Sequence, residues 1–209
     1  MRLKYNAPTT LTFTLIATAV LLIDQYIMPG TIEALFTAEG ATTFQIDSIP
    51  AYIRMLTHIF GHMGWDHLLS NLTLILLLGP ILEEKFGSRP LSWMIAITAM
   101  ANGLVNAFLF DAALMGSSGV AFMMILMVSF ANIKTGEFPI TAILVVGLYL
   151  FKEFLAIFLH DDISQISHII GAACGAFFGF SRTVGMRKNQ SAPRPDGSPP
   201  PSGQETVGF

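Results

Sequence analysis

Gly116-Ser117-Ser118-Gly119-Val120-Ala121-Phe122-Met123-Met124-Ile125-Leu126-Met127-Val128 joins a pair of hydroxyls, framed by glycines, directly to a long apolar run. Glycines on both sides let the backbone turn sharply and be approached closely. A helix that begins here leaves its first N–H groups without intrahelical partners, aimed at whatever comes near the serines. Such a start suits a nucleophile and a developing oxyanion, and equally a helix cap or a packing contact. The apolar run that follows is what a membrane helix requires.

The 209 residues are 53% hydrophobic and only 12% charged, with a mean hydropathy of +0.61 and a net charge of −3. A soluble domain typically carries about 25% charge. The charges here cluster in short stretches between apolar runs of roughly 17–22 residues, long enough to cross a ~30 Å hydrocarbon layer at ~1.5 Å per residue. This composition indicates an all-α polytopic membrane protein with the lipid bilayer as its first partner. Cys174 is the only cysteine, which excludes an intrachain disulfide. There is no Cys-rich metal pattern, no Gly-rich phosphate loop and no basic block suited to nucleic acid. Neither a cofactor nor a nucleic-acid partner is expected.

Six spans are predicted. The first runs from Leu11 to about Met28 behind Arg2 and Lys4, a beginning similar to a secretory signal but expected to stay uncleaved ahead of so many later spans. Pro29 to Trp65 is the longest connection and is predicted to be a structured loop with short helices. The second span covers Asp66 to about Leu82, with Asp66 as N-cap, and Glu83 to Pro90 forms a charged turn. The third is Leu91 to Phe110, carrying Asn102 and Asn106 one turn apart as expected interhelical glue. The fourth is Gly116 to Ile133, followed by a turn at Lys134 to Glu137. The fifth is Phe138 to about Leu159, interrupted by Lys152-Glu153, and the sixth is Ile163 to Phe180 beyond His160-Asp161-Asp162. Residues 1–181 thus make one six-helix membrane domain, while the Pro/Gly/Ser-rich residues 182–209 are expected to be disordered. With the N-terminus in the cytoplasm, Arg2, Lys4, Lys85, Arg89, Lys134, Arg182, Arg187, Lys188 and Arg194 lie inside, leaving Arg54 and Lys152 outside. That bias predicts an N-in, C-in bundle.

Under this topology spans two, four and six all begin on the outer side. Ser118 starts span four. His67 and Asn71, four residues apart, share one face of span two, and His168 lies five residues into span six. All four are expected in the outer third of the membrane, about 10 Å below the interface by helical rise, facing the bundle interior. A serine and a histidine at one depth suggest a nucleophile and its general base. The Ser118 N–H, the His67 imidazole and the Asn71 amide are available as oxyanion donors. Asp161 and Asp162 lie nearly two turns from His168, so a dyad rather than a triad is expected. His168, Gly171, Gly175 and Gly179 share a helix face, and small residues at that spacing let spans six and four approach closely. The competing reading is a packing seam with an incidental histidine.

These residues resemble the rhomboid family of intramembrane serine proteases. Gly116-Ser117-Ser118-Gly119 is similar to that family's GxSG, His62-Met-Gly-Trp-Asp-His67-Leu-Leu-Ser-Asn71 to its second-helix motif, and His168 with its trailing glycines to its sixth-helix base. The resemblance covers about residues 10–181, with the motifs in the family's order. It implies Ser118 as nucleophile, not Ser117, a choice that composition leaves open. It also implies His168 as base, and His67, Asn71 and the Ser118 amide as the oxyanion site. His62 becomes a structural or water-coordinating neighbour, Gly116, Gly119, Phe122 and Gly171 supporting residues, and Glu83 a structural glutamate. Two positions depart from the family pattern. Its Trp-Arg pair in the long loop is Ile53-Arg54 here, and the tyrosine one turn past the serine is Phe122, which can stack but has no hydroxyl.

The resemblance implies cleavage of single-pass transmembrane proteins in or near the membrane, without a metal. Water must reach Ser118, so a polar cavity open to the outside is expected beneath the long loop and the His160–Asp162 cap, and lateral substrate entry past span five would be similar to the family's proposed gate. A compact core of this kind is expected in a bacterial inner (plasma) membrane. Two rival functions are a metal-binding membrane protein using His58, His62 and His67, and an inactive rhomboid-like binder of transmembrane helices. The first leaves Ser118 and His168 unexplained. Members of the second class lose the serine or the histidine, both of which this chain keeps.

Overall fold

The computed structural model describes residues 5–131, 140, 144, 147–148, 151 and 162–191. Helix α1 (Pro8–Tyr26) opens on a proline, whose missing N–H would have no partner in a first turn anyway. The long connection folds into α2 (Thr31–Leu35), α3 (Ile49–Thr57) and a 3₁₀ turn at His58–Phe60, so the predicted structured loop is present. Then come α4 (Trp65–Phe86), α5 (Ser88–Leu109), α6 (Ser118–Ala131) and α7 (Asp162–Ser191). Among the described residues no strand forms, and one antiparallel bridge, Ala38 to Leu114, ties the long loop to the segment before α6.

Helices α1, α4 and α5 are long and apolar enough to cross a membrane; Ser118–Phe130 and Ile166–Ser181 are shorter apolar helical stretches. Their outward faces carry large apolar side chains such as Leu15, Leu77, Ile81, Trp93 and Phe177, a surface suited to lipid rather than water. The buried side is filled by Phe13, Leu21, Leu68, Ile75, Met123 and Met127. Most of the predicted fifth span, including Lys152 and Glu153, the turn at Lys134–Glu137, His160 and Asp161, Arg2 and Lys4, and residues 192–209 lie outside the described residues.

Several boundaries differ from expectation for local reasons. Asp66 is not an N-cap: α4 starts at Trp65 behind Gly64, and Asp66 sits in the first turn, where its charge meets the positive end of the helix. The charged run Glu83-Glu84-Lys85 is not a turn but the last part of α4, and Gly87, at φ 89°, makes the reversal alone. Glu83 is used there. Its carboxylate accepts from the Thr9 N–H at 2.8 Å, the Thr10 N–H at 3.0 Å and the Thr10 hydroxyl at 2.9 Å, supplying partners that the first turn of α1 lacks within its own helix. Helix α7 continues past residue 181 to Ser191. The sequence there offers no proline before Pro193.

The long loop is braced within itself by Arg54 and tied to α5 by Asn106. Arg54 pairs with Glu39 and donates to the Ala34 carbonyl at 3.4 Å, so the arginine of Ile53-Arg54 holds the loop although no tryptophan precedes it. Asn106 donates to the Glu39 carbonyl at 3.1 Å and the Ala112 carbonyl at 2.9 Å, and Asn102 to the Thr98 carbonyl of its own helix at 3.0 Å. These bonds go to loops and to the previous turn, not across to another span as expected. An amide inside a helix takes the nearest free carbonyl, and at Asn106 the adjoining loops supply it.

Candidate active site

The segment entering α6 is held from several sides. Gly116 adopts φ 114°, a conformation costly for any residue with a Cβ. A Cβ there would also meet the His67 ring at 2.7 Å. The Gly116 N–H donates to the His58 carbonyl at 3.0 Å. Ser117 is fully buried, and its Oγ lies 3.2 Å from His62 Nε2. His62 Nδ1 lies 3.3 Å from the Phe60 carbonyl, which can only accept. Nδ1 therefore carries the proton, and Nε2 receives the Ser117 hydroxyl. Ser118, by contrast, is the first residue of α6 and is only partly buried.

The second-helix residues surround this turn. His62 and His67 meet edge to face with ring centroids 4.9 Å apart. Burial, and then the neighbouring His67, push the His62 imidazole down to about 4, so it is neutral at physiological pH. Burial likewise lowers His58 to about 4, partly offset by the bond from its Nδ1 to the Met55 carbonyl at 3.0 Å. Asn71 Nδ2 and His67 Nδ1 are buried and, among the described residues, have no hydrogen-bond partner. Asn71 Nδ2 lies 3.8 Å from where a Gly116 Cβ would sit. Asn71 thus brings an amide donor to the turn before Ser118 with that capacity unspent, which is costly unless something uses it, while His67 presents its Cε1–Nε2 edge to Gly116.

Helix α7 closes the arrangement. A Cβ on Gly171 would overlap the Gly119 carbonyl oxygen, one on Gly175 the Met123 carbonyl, and one on Gly179 would come within 2.9 Å of Phe130 Cβ. Residue numbers rise together along both helices, so α6 and α7 run parallel with backbones touching, as the glycine spacing predicted. On the other side of this contact a Gly119 Cβ would lie 3.1 Å from the Ser167 carbonyl oxygen. The residue after Ser118 therefore touches the residue before His168. The His168 side chain is buried, and its imidazole packs on the Phe122 ring at a centroid distance of 4.2 Å and a tilt of 43°. The stacking expected of a ring at position 122 is present without a hydroxyl.

Asn102 also belongs to this neighbourhood, and sequence reasoning treated it only as glue. Its Nδ2 lies 2.6 Å from where a Gly119 Cβ would be, and its buried Oδ1 has no partner among the described residues. The signal was visible as two amides one turn apart, but not the carbonyls they would choose. A cavity of about 440 Å³ borders the long loop, lined by Asp24, Glu33, Thr37, His62, Ala113 and Met115, and it reaches the residue next to Gly116. Both ring nitrogens of His62 are engaged by protein groups. Among the described residues no three His, Cys, Asp or Glu side chains are grouped to hold a metal.

A protein-family model described as the Rhomboid domain matches residues 50–183. The chain belongs to the rhomboid family. The matched stretch takes in every site residue from His62 to Gly171. Among curated proteins, the Rhomboid protease GlpG of Haemophilus influenzae is 26% identical over 141 residues, covering 65% of this chain and 72% of that protein. As a rhomboid, the chain is an integral, polytopic helical membrane protein, and the unpaired Asn71 amide, the touching glycines and the paired imidazole and phenyl rings lie within its family domain.

Proposed function

We propose that this rhomboid is an intramembrane serine endopeptidase that cuts transmembrane segments of single-pass membrane proteins with a Ser118–His168 dyad. The observation that carries the reading is the backbone contact of Gly119 with Gly171, which leaves Ser118 and His168 on the two flanks of one helix–helix junction. The same geometry separates the two serines. The Ser117 hydroxyl is fully buried and engaged by His62, whereas Ser118 is partly open at the helix start.

In this mechanism His168 accepts the Ser118 Oγ proton as Oγ bonds to the scissile carbonyl carbon. The carbonyl π electrons move onto oxygen, and the oxyanion accepts hydrogen bonds from the Ser118 N–H, the Asn71 amide and the His67 imidazole. Imidazolium then passes the proton to the departing amine, the C–N bond breaks, and an acyl-enzyme remains. Water, deprotonated by the same imidazole, releases the acid and restores Ser118. The Phe122 ring packs against the imidazole and supports it. The cavity beside His62 offers water a route from the loop side. A helical substrate shields its peptide bonds, so the preferred targets contain helix-weakening residues near the cut.

The wider setting follows the same reading: six spans, N-in and C-in, residues 1–181 as the membrane domain, with α7 running on into a tail over 182–209, in a bacterial inner membrane. The bacterial relative and the distribution of basic residues support this placement. The experiment is incubation in liposomes with a panel of single-span substrates, comparing wild type with Ser118→Ala, Ser117→Ala and His168→Ala. Loss of cleavage in Ser118→Ala and His168→Ala, both folded, is the expected result. Normal cleavage by Ser118→Ala would overturn the assignment.

A further inference from the structure

The hydrogen bond between Ser117 and His62 takes no part in the proton transfers above, yet it sits where the nucleophile turn is aimed. We propose that Ser117 is a positioning residue, whose hydroxyl, held by His62, fixes the peptide plane that carries the Ser118 N–H; this rests on the reading of Ser118 as nucleophile. The peptide unit joining Ser117 to Ser118 is planar and trans, so its C=O and N–H point in opposite directions. The Ser117 carbonyl accepts from the Ala121 N–H at 2.9 Å, along the helix. The Ser118 N–H must then point back out of the helix start, towards an approaching carbonyl.

That aim depends on the torsions ahead of it. Gly116, with no Cβ and a positive φ, is the pliable joint of the turn. Upstream of it the chain is held by the Gly116 N–H on the His58 carbonyl. Immediately downstream the side-chain anchor is Ser117 Oγ on His62 Nε2. His62 can serve as a fixed post, because it is fully buried, its Nδ1 is tied to the Phe60 carbonyl, and its ring abuts His67. Both arms of Ser117, hydroxyl and carbonyl, are thus fixed, and the plane between it and Ser118 has one orientation. Removing the hydroxyl frees the joint and leaves a buried imidazole nitrogen without its donor. Small misalignments of a reacting group are costly to rate, while substrate contacts elsewhere are untouched.

The test is a double-mutant cycle on kcat and KM with one single-span substrate. Ser117→Ala is expected to lower kcat about tenfold with KM changed less than about twofold. In a His62→Ala background the same substitution should change kcat less than about twofold, because the post is already gone. His62→Gln, whose amide oxygen reaches the place of Nε2, should restore the dependence on Ser117. If Ser117→Ala does not fold, Ser117→Cys, a weaker donor, is scored by the same criteria. Wild-type kcat in Ser117→Ala, beside an inactive Ser118→Ala, would overturn the positioning role and leave the dyad standing. Equal losses with and without His62 would also overturn it. Activity in Ser118→Ala with none in Ser117→Ala would instead defeat the assignment of the nucleophile.

Discussion

Replacing Gly171 by alanine should disable the protein by a displacement of about 1 Å. Carbon atoms at rest lie about 3.5–4.0 Å apart, and the new methyl would lie 2.9 Å from Gly119 Cα and closer still to the Gly119 carbonyl oxygen. Those are backbone atoms in a helix, so no rotamer change relieves the overlap. The helices must part by roughly 1 Å. Overpacking of this kind typically costs about 1–3 kcal/mol of stability. The parting opens the junction between Ser118 and His168, where a misplacement of ~1 Å can lower rate ~10²-fold. Gly175→Ala meets the Met123 backbone in the same way, with 2.9 Å to its Cα, but one turn further along the seam. It should therefore cost comparable stability and less activity. The assay is cleavage of a single-span substrate in liposomes, with thermal unfolding in detergent followed by circular dichroism. A folded Gly171→Ala protein cleaving at the wild-type rate would refute the reasoning, since the two helices would then tolerate separation at the site.

Phe122→Ala removes the ring against His168, an aromatic contact worth about 1 kcal/mol, and should lower kcat about fivefold, whereas Phe122→Tyr should keep it. Glu83→Ala strips three acceptor contacts from the start of α1 and should destabilise the protein by about 2 kcal/mol, read as a lower unfolding temperature. Stability should also fall on acidification. His58 and His62 are held near 4 in the fold against an ordinary 6.5, so the unfolded chain takes up protons first. Their contribution is whole above about 6.5, declines as pH drops towards 4, and declines no further below it; for the deeply buried His58 the full loss is about 3 kcal/mol. Denaturant titrations at pH 7 and pH 4.5 measure it, and equal midpoints would contradict the burial of these rings.

The bodies of α1, α4 and α5 were legible because their length and hydropathy mark a span, and the glycine spacing after His168 announced the backbone contact with Gly119. The structured nature of the long loop was legible from its length and mixed composition. Helix ends were not. Glu83-Glu84-Lys85 looks like a turn until Glu83 is seen accepting from Thr9 and Thr10, residues more than seventy positions earlier in the chain. The end of α7 was hidden because a basic, Gly-containing segment reads as tail, although nothing in it breaks a helix before Pro193. Ser117 and Ser118 were indistinguishable by composition, since the difference is the distant His62 that buries one of them. The partner of Arg54 was equally hidden, because Glu39 lies fifteen positions away across an irregular loop.

The central claim is that the hydroxyl activated by a histidine belongs to Ser118. Reaction of the purified protein with a fluorophosphonate, followed by mass spectrometry of its peptides, tests it most directly. The account predicts one adduct on Ser118 in the wild type and none in folded His168→Ala. An adduct on Ser117, or undiminished labelling without the imidazole, would contradict it.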